Sequence, residues 1–182
     1  MASEESHPTI EAGDHKAYME YALEQARHSP PGPTKFCVGA VFVDADKNEI
    51  LSTGWSLELP DNVPDDPGST HAEGCCFRKL AFKHNLPEER LSEVLPKHTV
   101  LYTTMEPCNK RLSGKMPCVD RILRLKDCIR AVYCGIKEPE NFIEQTVLVM
   151  GRKRLTEAGV EVIFIDGMED QILAVALSGH ES

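Results

Sequence analysis

No apolar run in this sequence approaches the roughly eighteen residues that a helix needs to cross a bilayer, so no membrane partner is expected. Basic charge is also scarce. Twenty lysines and arginines face 29 aspartates and glutamates, a formal net charge of −9. That balance argues against the broad basic face that gripping a nucleic-acid backbone requires, and no nucleic-acid partner is expected either. The opening stretch, MASEESHPTIEAGD, lacks the basic-then-apolar order of a secretory leader and reads as a disordered lead over residues 1–13. Cysteine lacks an even count: seven thiols are scattered through a chain large enough to fold without staples. Such usage suits a reducing compartment, the cytoplasm or nucleus, where thiols serve metals or the core rather than disulfides.

What is present suggests one globular domain over residues 14–182. The spacing of Met19, Ala22, Leu23 and Ala26 predicts a helix capped by Asp14 and stopped by PPGPT at 30–34. Apolar, β-branched runs at 36–44 and 49–56 flank ADKN and read as a hairpin. An acidic, proline-rich loop occupies 58–68. A helix is then expected over 71–84, a strand over 98–105, a helix over 118–126 and a strand over 129–135. The chain closes with a helix over 142–158 ended by Gly159, a strand over 160–165, and a last helix carrying Ile172, Leu173, Ala176 and Leu177. This order predicts an α/β fold: a three-layer α/β/α sandwich around a five-stranded mixed sheet.

The chemistry gathers in two stretches, STHAEGCC at 69–76 and TMEPCNKRLSGKMPCVDRIL at 104–123. Thr70 and Glu73 fit a capping box, which would make Glu73 only a helix starter. His71 and Glu73 lie about 200° apart on a regular helix, so both reach one pocket only if His71 sits at an irregular helix start. Pro107 and Pro117 each precede a cysteine, and proline marks helix entries, where a thiol tends toward thiolate. One imidazole and two thiolates make three ligands for a catalytic zinc, one ion per chain, with a fourth position open. A Cys108–Cys118 disulfide is the alternative. Cys37, Cys75, Cys76, Cys128 and Cys134 read as core filler, His84 and His98 as surface histidines, and Trp55 as packing beside the pocket. Glu73, not needed as a ligand, would be the catalytic acid–base group beside a water that the metal makes acidic. H-x-E followed by P-C-x-x-C is the layout of the zinc deaminases.

On His71-Ala72-Glu73, Pro107-Cys108 and FCVGAVFV, the chain is identified as a member of the cytidine deaminase-like superfamily over roughly residues 14–165. It departs in cysteine spacing. Nine residues, NKRLSGKMP, stand where most of the superfamily has two. That gap resembles the riboflavin-pathway pyrimidine deaminases, and EPC…RLSG…PCVDRIL resembles their fungal type. The resemblance implies a hydrolase that converts 2,5-diamino-6-ribitylamino-4(3H)-pyrimidinone 5′-phosphate to 5-amino-6-ribitylamino-uracil 5′-phosphate and ammonia. It also implies a homodimer. Lys35, Gly39 and Ala40, around the Val-Gly-Ala strand, are the expected contacts on one side of the substrate. Asn109, Lys110, Arg111, Ser113 and Lys115 in the gap are the expected phosphate or ribityl contacts. A second basic set, Arg152, Lys153 and Arg154, reads as a solvated helix face. Two other functions fit the same residues: a deaminase of another nucleoside, nucleotide or tRNA base, and a non-catalytic zinc-stabilised scaffold.

Overall fold

The computed structural model describes residues 5–60, 69–139 and 145–180. Helix α1 (His15–Arg27) leads into the hairpin of β1 (Gly39–Asp44) and β2 (Glu49–Trp55). Helix α2 (Ala72–Lys83), a 3₁₀ segment (Glu88–Glu93), β3 (Thr99–Met105), α3 (Cys118–Arg124) and β4 (Ile129–Ile136) follow. The chain ends with α4 (Gln145–Glu157), β5 (Glu161–Phe164) and α5 (Glu169–Ala176). The sheet order is β2-β1-β3-β4-β5. β1 runs antiparallel to β2 and β3, whereas β3, β4 and β5 are parallel. This is the expected five-stranded mixed sheet.

Strand alternation divides the core in two. Ala40 and Phe42 of β1 face α2, α3 and α4, where Phe77, Leu80, Val119, Ile122 and Leu155 pack. Val41 and Val43 face the other way, onto Tyr18, Met19, Leu23 and Ile172 of α1 and α5. Each such fully buried side chain contributes about 1.5–3 kcal/mol by leaving water, and together the two clusters make the three layers. Asp14 caps α1 as expected, accepting from Ala17 N at 3.0 Å. In the hairpin turn Asp44 Oδ1 accepts the N–H groups of Asp46 and Lys47 at 3.0 and 3.2 Å.

Several expectations change. The cap of α2 is His71, not Thr70. His71 has extended backbone (φ −90°, ψ 155°) and makes no side-chain cap bond. The 3₁₀ segment carries no apolar periodicity and was not anticipated. Helix α4 is described from Gln145, while residues 142–144 of the predicted 142–158 helix and residues 61–68 of the acidic loop lie outside the described residues. From Glu5 onward the segment expected as a disordered lead makes contacts: His7 Nδ1 lies 3.0 Å from Tyr21 Oη, and Asn48 Nδ2 donates to Ile10 O at 2.7 Å. Among the described residues no helix is long and apolar enough to cross a membrane.

Candidate metal centre and substrate pocket

The site lies past the carboxyl ends of the parallel strands β3 and β4, the crevice where open α/β sheets expose backbone groups and loops. β3 ends at Met105 and delivers Glu106, Pro107 and Cys108; α3 then starts at Cys118. α2 starts one residue after His71, and that non-helical cap position turns the imidazole toward both sulfurs. His71 Nδ1 lies 3.5 Å from Cys108 Sγ and 3.4 Å from Cys118 Sγ. The three ligand atoms lie within 4.8 Å of one another, and the cysteines are free and buried. A tetrahedral zinc with Zn–S of about 2.3 Å and Zn–N of about 2.0 Å separates nitrogen from sulfur by about 3.5 Å. The donor set and its spacing fit that ion.

Only Cys118 begins a helix. Cys108 sits in the connection after β3, so it is not at a helix start as expected, but its sulfur accepts Cys118 N–H at 3.3 Å. The N-terminal dipole of α3 therefore reaches the Cys108 thiol through one amide. The Cys118 contact, opposed by burial and helped by the neighbouring imidazole, holds the Cys108 thiol well below its ordinary pKa. That is the form a metal binds.

Glu73 points at the same centre rather than back at its own helix cap. Its Oε1 accepts from Thr103 Oγ1 at 3.4 Å and its Oε2 from the Cys118 thiol at 3.3 Å. The capping box is thus not formed. Glu73 is 3% exposed, and burial raises its pKa.

A cavity of about 410 Å³ opens onto this centre, lined by Glu73, His71 and Cys108 and also by Lys35, Phe36, Val38, Lys110, Arg111 and Ser113. Four of the predicted substrate contacts, Lys35, Lys110, Arg111 and Ser113, are therefore on the wall. Lys115 reaches it through Ser69: Lys115 Nζ donates to Ser69 Oγ at 2.9 Å. Arg111 Nη2 donates to Ser69 O at 2.7 Å and Ser69 Oγ at 3.1 Å.

Three predicted contacts are placed elsewhere. A Cβ on Gly39 would sit 1.9 Å from Ala22 O, so this glycine exists to let α1 press onto β1. Ala40 faces the opposite layer, fully buried, with its carbonyl accepting from Cys76 Sγ at 3.6 Å. Val38, one residue earlier, takes the wall position. Asn109 turns toward α4, donating to Val147 O at 3.2 Å and accepting from Arg154 at 2.7 Å. Trp55 packs not on the pocket but against His28 (ring centroids 5.1 Å) and under Lys79.

The sequence reading missed Glu106 and Glu138, two carboxylates on the pocket wall. Burial, with the Cys108 charge adding to it, raises the Glu138 pKa to about 7, and its Oε2 is buried without a hydrogen bond. No periodicity or spacing marks Glu138. Its one signal is its place three residues after the buried strand residue Gly135.

The Cytidine and deoxycytidylate deaminase zinc-binding region matches residues 12–136. The chain belongs to this family. The domain is 38% identical over 167 residues, 92% of the chain, to the diaminohydroxyphosphoribosylamino-pyrimidine deaminase of Schizosaccharomyces pombe, and it spans 36% of that protein's length. The Aspergillus oryzae Rib2 deaminase structure superposes with a TM-score of 0.79 at 41% identity, covering 92% of each chain. A structure of that deaminase in complex with DARIPP gives 0.78 at the same identity and coverage. The Thermotoga maritima deaminase/reductase, at 24% identity and TM-score 0.62 over 89% of this chain and 39% of its own, shares the fold.

Proposed function

We propose that the chain hydrolyses 2,5-diamino-6-ribitylamino-4(3H)-pyrimidinone 5′-phosphate to 5-amino-6-ribitylamino-uracil 5′-phosphate and ammonia. The observation that carries this reading is the make-up of one pocket wall. The carboxylates Glu73, Glu106 and Glu138 line it with His71 and Cys108, and so do Lys110 and Arg111 from the nine-residue gap. The 41% identical deaminase in complex with DARIPP supports it further.

When bound by His71, Cys108 and Cys118, zinc lowers the pKa of a water toward neutrality. Glu73, buried and 3.3 Å from one ligand sulfur, would take a proton from that water and give it to a ring nitrogen. It would then take the second water proton as the C2–O bond becomes a carbonyl, and pass it to the departing amine. Water supplies the new oxygen, and the nitrogen leaves as ammonia. A carboxylate whose pKa is raised by burial suits both transfers, since it holds a proton more readily than an exposed glutamate does. Glu138 faces the same space and would accept from the amino and ring N–H groups of the base. Arg111, Lys115 and Lys110 would take the phosphate. The first two already converge on Ser69, so their charges are held together before substrate arrives.

A homodimer in the cytoplasm completes the proposal. Leu112 (94% exposed), Val149 and Met150 near the gap, with Leu173 on α5, offer apolar surface for a second copy. The deciding experiment measures zinc content and ammonia release with this substrate and its dephosphorylated form, alongside cytidine and deoxycytidylate. One zinc per chain and a preference for the phosphorylated pyrimidine are expected. Faster turnover of cytidine would overturn the substrate assignment.

A further inference from the structure

Where two thiolates are two residues apart, a single turn of chain sets the distance between them. Here nine residues intervene, and holding the ends of a flexible loop of that length together costs closure entropy. Something else must set the spacing of the sulfurs.

The Cys118 and Val119 N–H groups tie α3 directly to Cys108, at Sγ and O, and helix α4 holds the two segments that carry these bonds. Of Arg152, Lys153 and Arg154, only Lys153 behaves as a solvated residue, 3.8 Å from Glu157 at the surface. Arg152 Nε lies 2.6 Å from Oε1 of Glu106, whose side chain is 3% exposed. Arg154 donates through Nη1 to Asn109 Oδ1 at 2.7 Å and through Nη2 to Asp120 Oδ1 at 2.6 Å. Glu106 and Asn109 bracket Pro107 and Cys108, and Asp120 is two residues past Cys118. One guanidinium therefore spans both ends of the gap. Asn109 also donates to Val147 O, and α4 approaches so closely at Gly151 that a Cβ there would lie 2.9 Å from Asn109 Cβ.

We propose that Arg152 and Arg154 are positioning residues that fix the Cys108–Cys118 pair, replacing by a tertiary clamp the short spacing that this chain lacks. The inference rests on the reading of His71, Cys108 and Cys118 as a zinc site. The Arg154 contacts are half-exposed, and such pairs add little stability by themselves; their effect is on geometry. Arg152 does more, because without it the Glu106 carboxylate is buried and unpaired.

The test follows zinc release from the holoenzyme into excess chelator. Zinc stoichiometry of the wild type is measured first; a protein that binds none overturns the site reading and the clamp with it. For a zinc-loaded wild type, Arg152→Met and Arg154→Met are expected to release zinc about tenfold faster or more, with kcat reduced and KM little changed. Glu106→Gln removes the same ion pair from the other side. The double variant R152M/E106Q should be no faster than the faster single, since both break one contact. If Arg152→Met does not fold, Glu106→Gln and Arg154→Met carry the test. Leu23→Ala, in the opposite layer, should lower Tm and leave zinc release unchanged. Release within twofold of wild type in the arginine variants, or equal acceleration in Leu23→Ala, overturns the clamp.

Discussion

On the layer beneath α1 and α5, Tyr102 is stacked between Tyr18 and Tyr133 with ring centroids 4.8 Å from each, and His15 lies 4.3 Å from Tyr133 and 6.0 Å from Tyr102. Polar tips there find partners: Tyr102 Oη is 2.8 Å from His15 Nδ1, and Tyr18 donates to Asn48 at 2.7 Å. On the layer beneath α2, α3 and α4, β3 carries Thr103 beside Glu73, and the chain past the ends of β3 and β4 carries Cys108 and Glu138. There Glu138 Oε2 is buried without a hydrogen bond. A layer that only has to be stable satisfies its polar groups internally. A layer that has to bind and react keeps groups whose partners arrive from outside, and it carries their cost in stability.

The contrast is broken most severely at Glu73. Glu73→Gln keeps the shape and the ligands, so a folded protein with full zinc content is expected, with kcat lower by about 10²–10⁴-fold. Retention of more than a tenth of wild-type turnover would remove Glu73 from the reaction. Gly39→Ala tests the other layer. It forces α1 off β1 and should cost about 1–3 kcal/mol or more in denaturant unfolding, with no selective rise in KM. A variant of unchanged stability but raised KM would return Gly39 to the substrate pocket.

Lys115→Ala sharpens the difference between the reacting groups of the pocket layer and its cations. Loss of one charge-assisted bond to phosphate should raise KM about tenfold for the phosphorylated substrate and leave the dephosphorylated one unaffected. Equal effects on both would mean that Lys115 supports the fold of the gap and not the anion. The smallest expected effect is a pH dependence at Glu138. In the metal-free protein its carboxyl titrates at about 7 against an ordinary 4.5, because burial penalises the anion. A raised folded pKa means that its contribution is intact below about pH 4.5 and is lost as pH rises to about 7. Glu138→Gln removes that titration, so its Tm relative to wild type should climb between pH 5 and pH 8. A constant gap across that range would show that Glu138 ionises as an ordinary surface carboxylate.

Much of this was legible before any coordinates. His71, Glu73, Cys108 and Cys118 were legible because residue type and flanking prolines restrict what such a set can do. The hairpin was legible from turn chemistry at 45–48. The basic triplet 152–154 was not, because a charge run on a helix face looks the same whether its partners are water or the flanks of a metal ligand 45 residues away. Gly39 and Ala40 were misplaced for a related reason: alternation along β1 fixes that they face opposite ways, but not that α1 and α2 cover them and leave the wall to Val38.

The sequence by itself determined the layers, the strand succession and the donor set, since periodicity, capping and ligand chemistry are local properties of a chain. The tertiary structure alone decided that His71 caps α2, that Glu138 faces the cavity, and that α4 holds the ends of the gap. Each of these depends on the distance between residues far apart in sequence, and packing sets that distance.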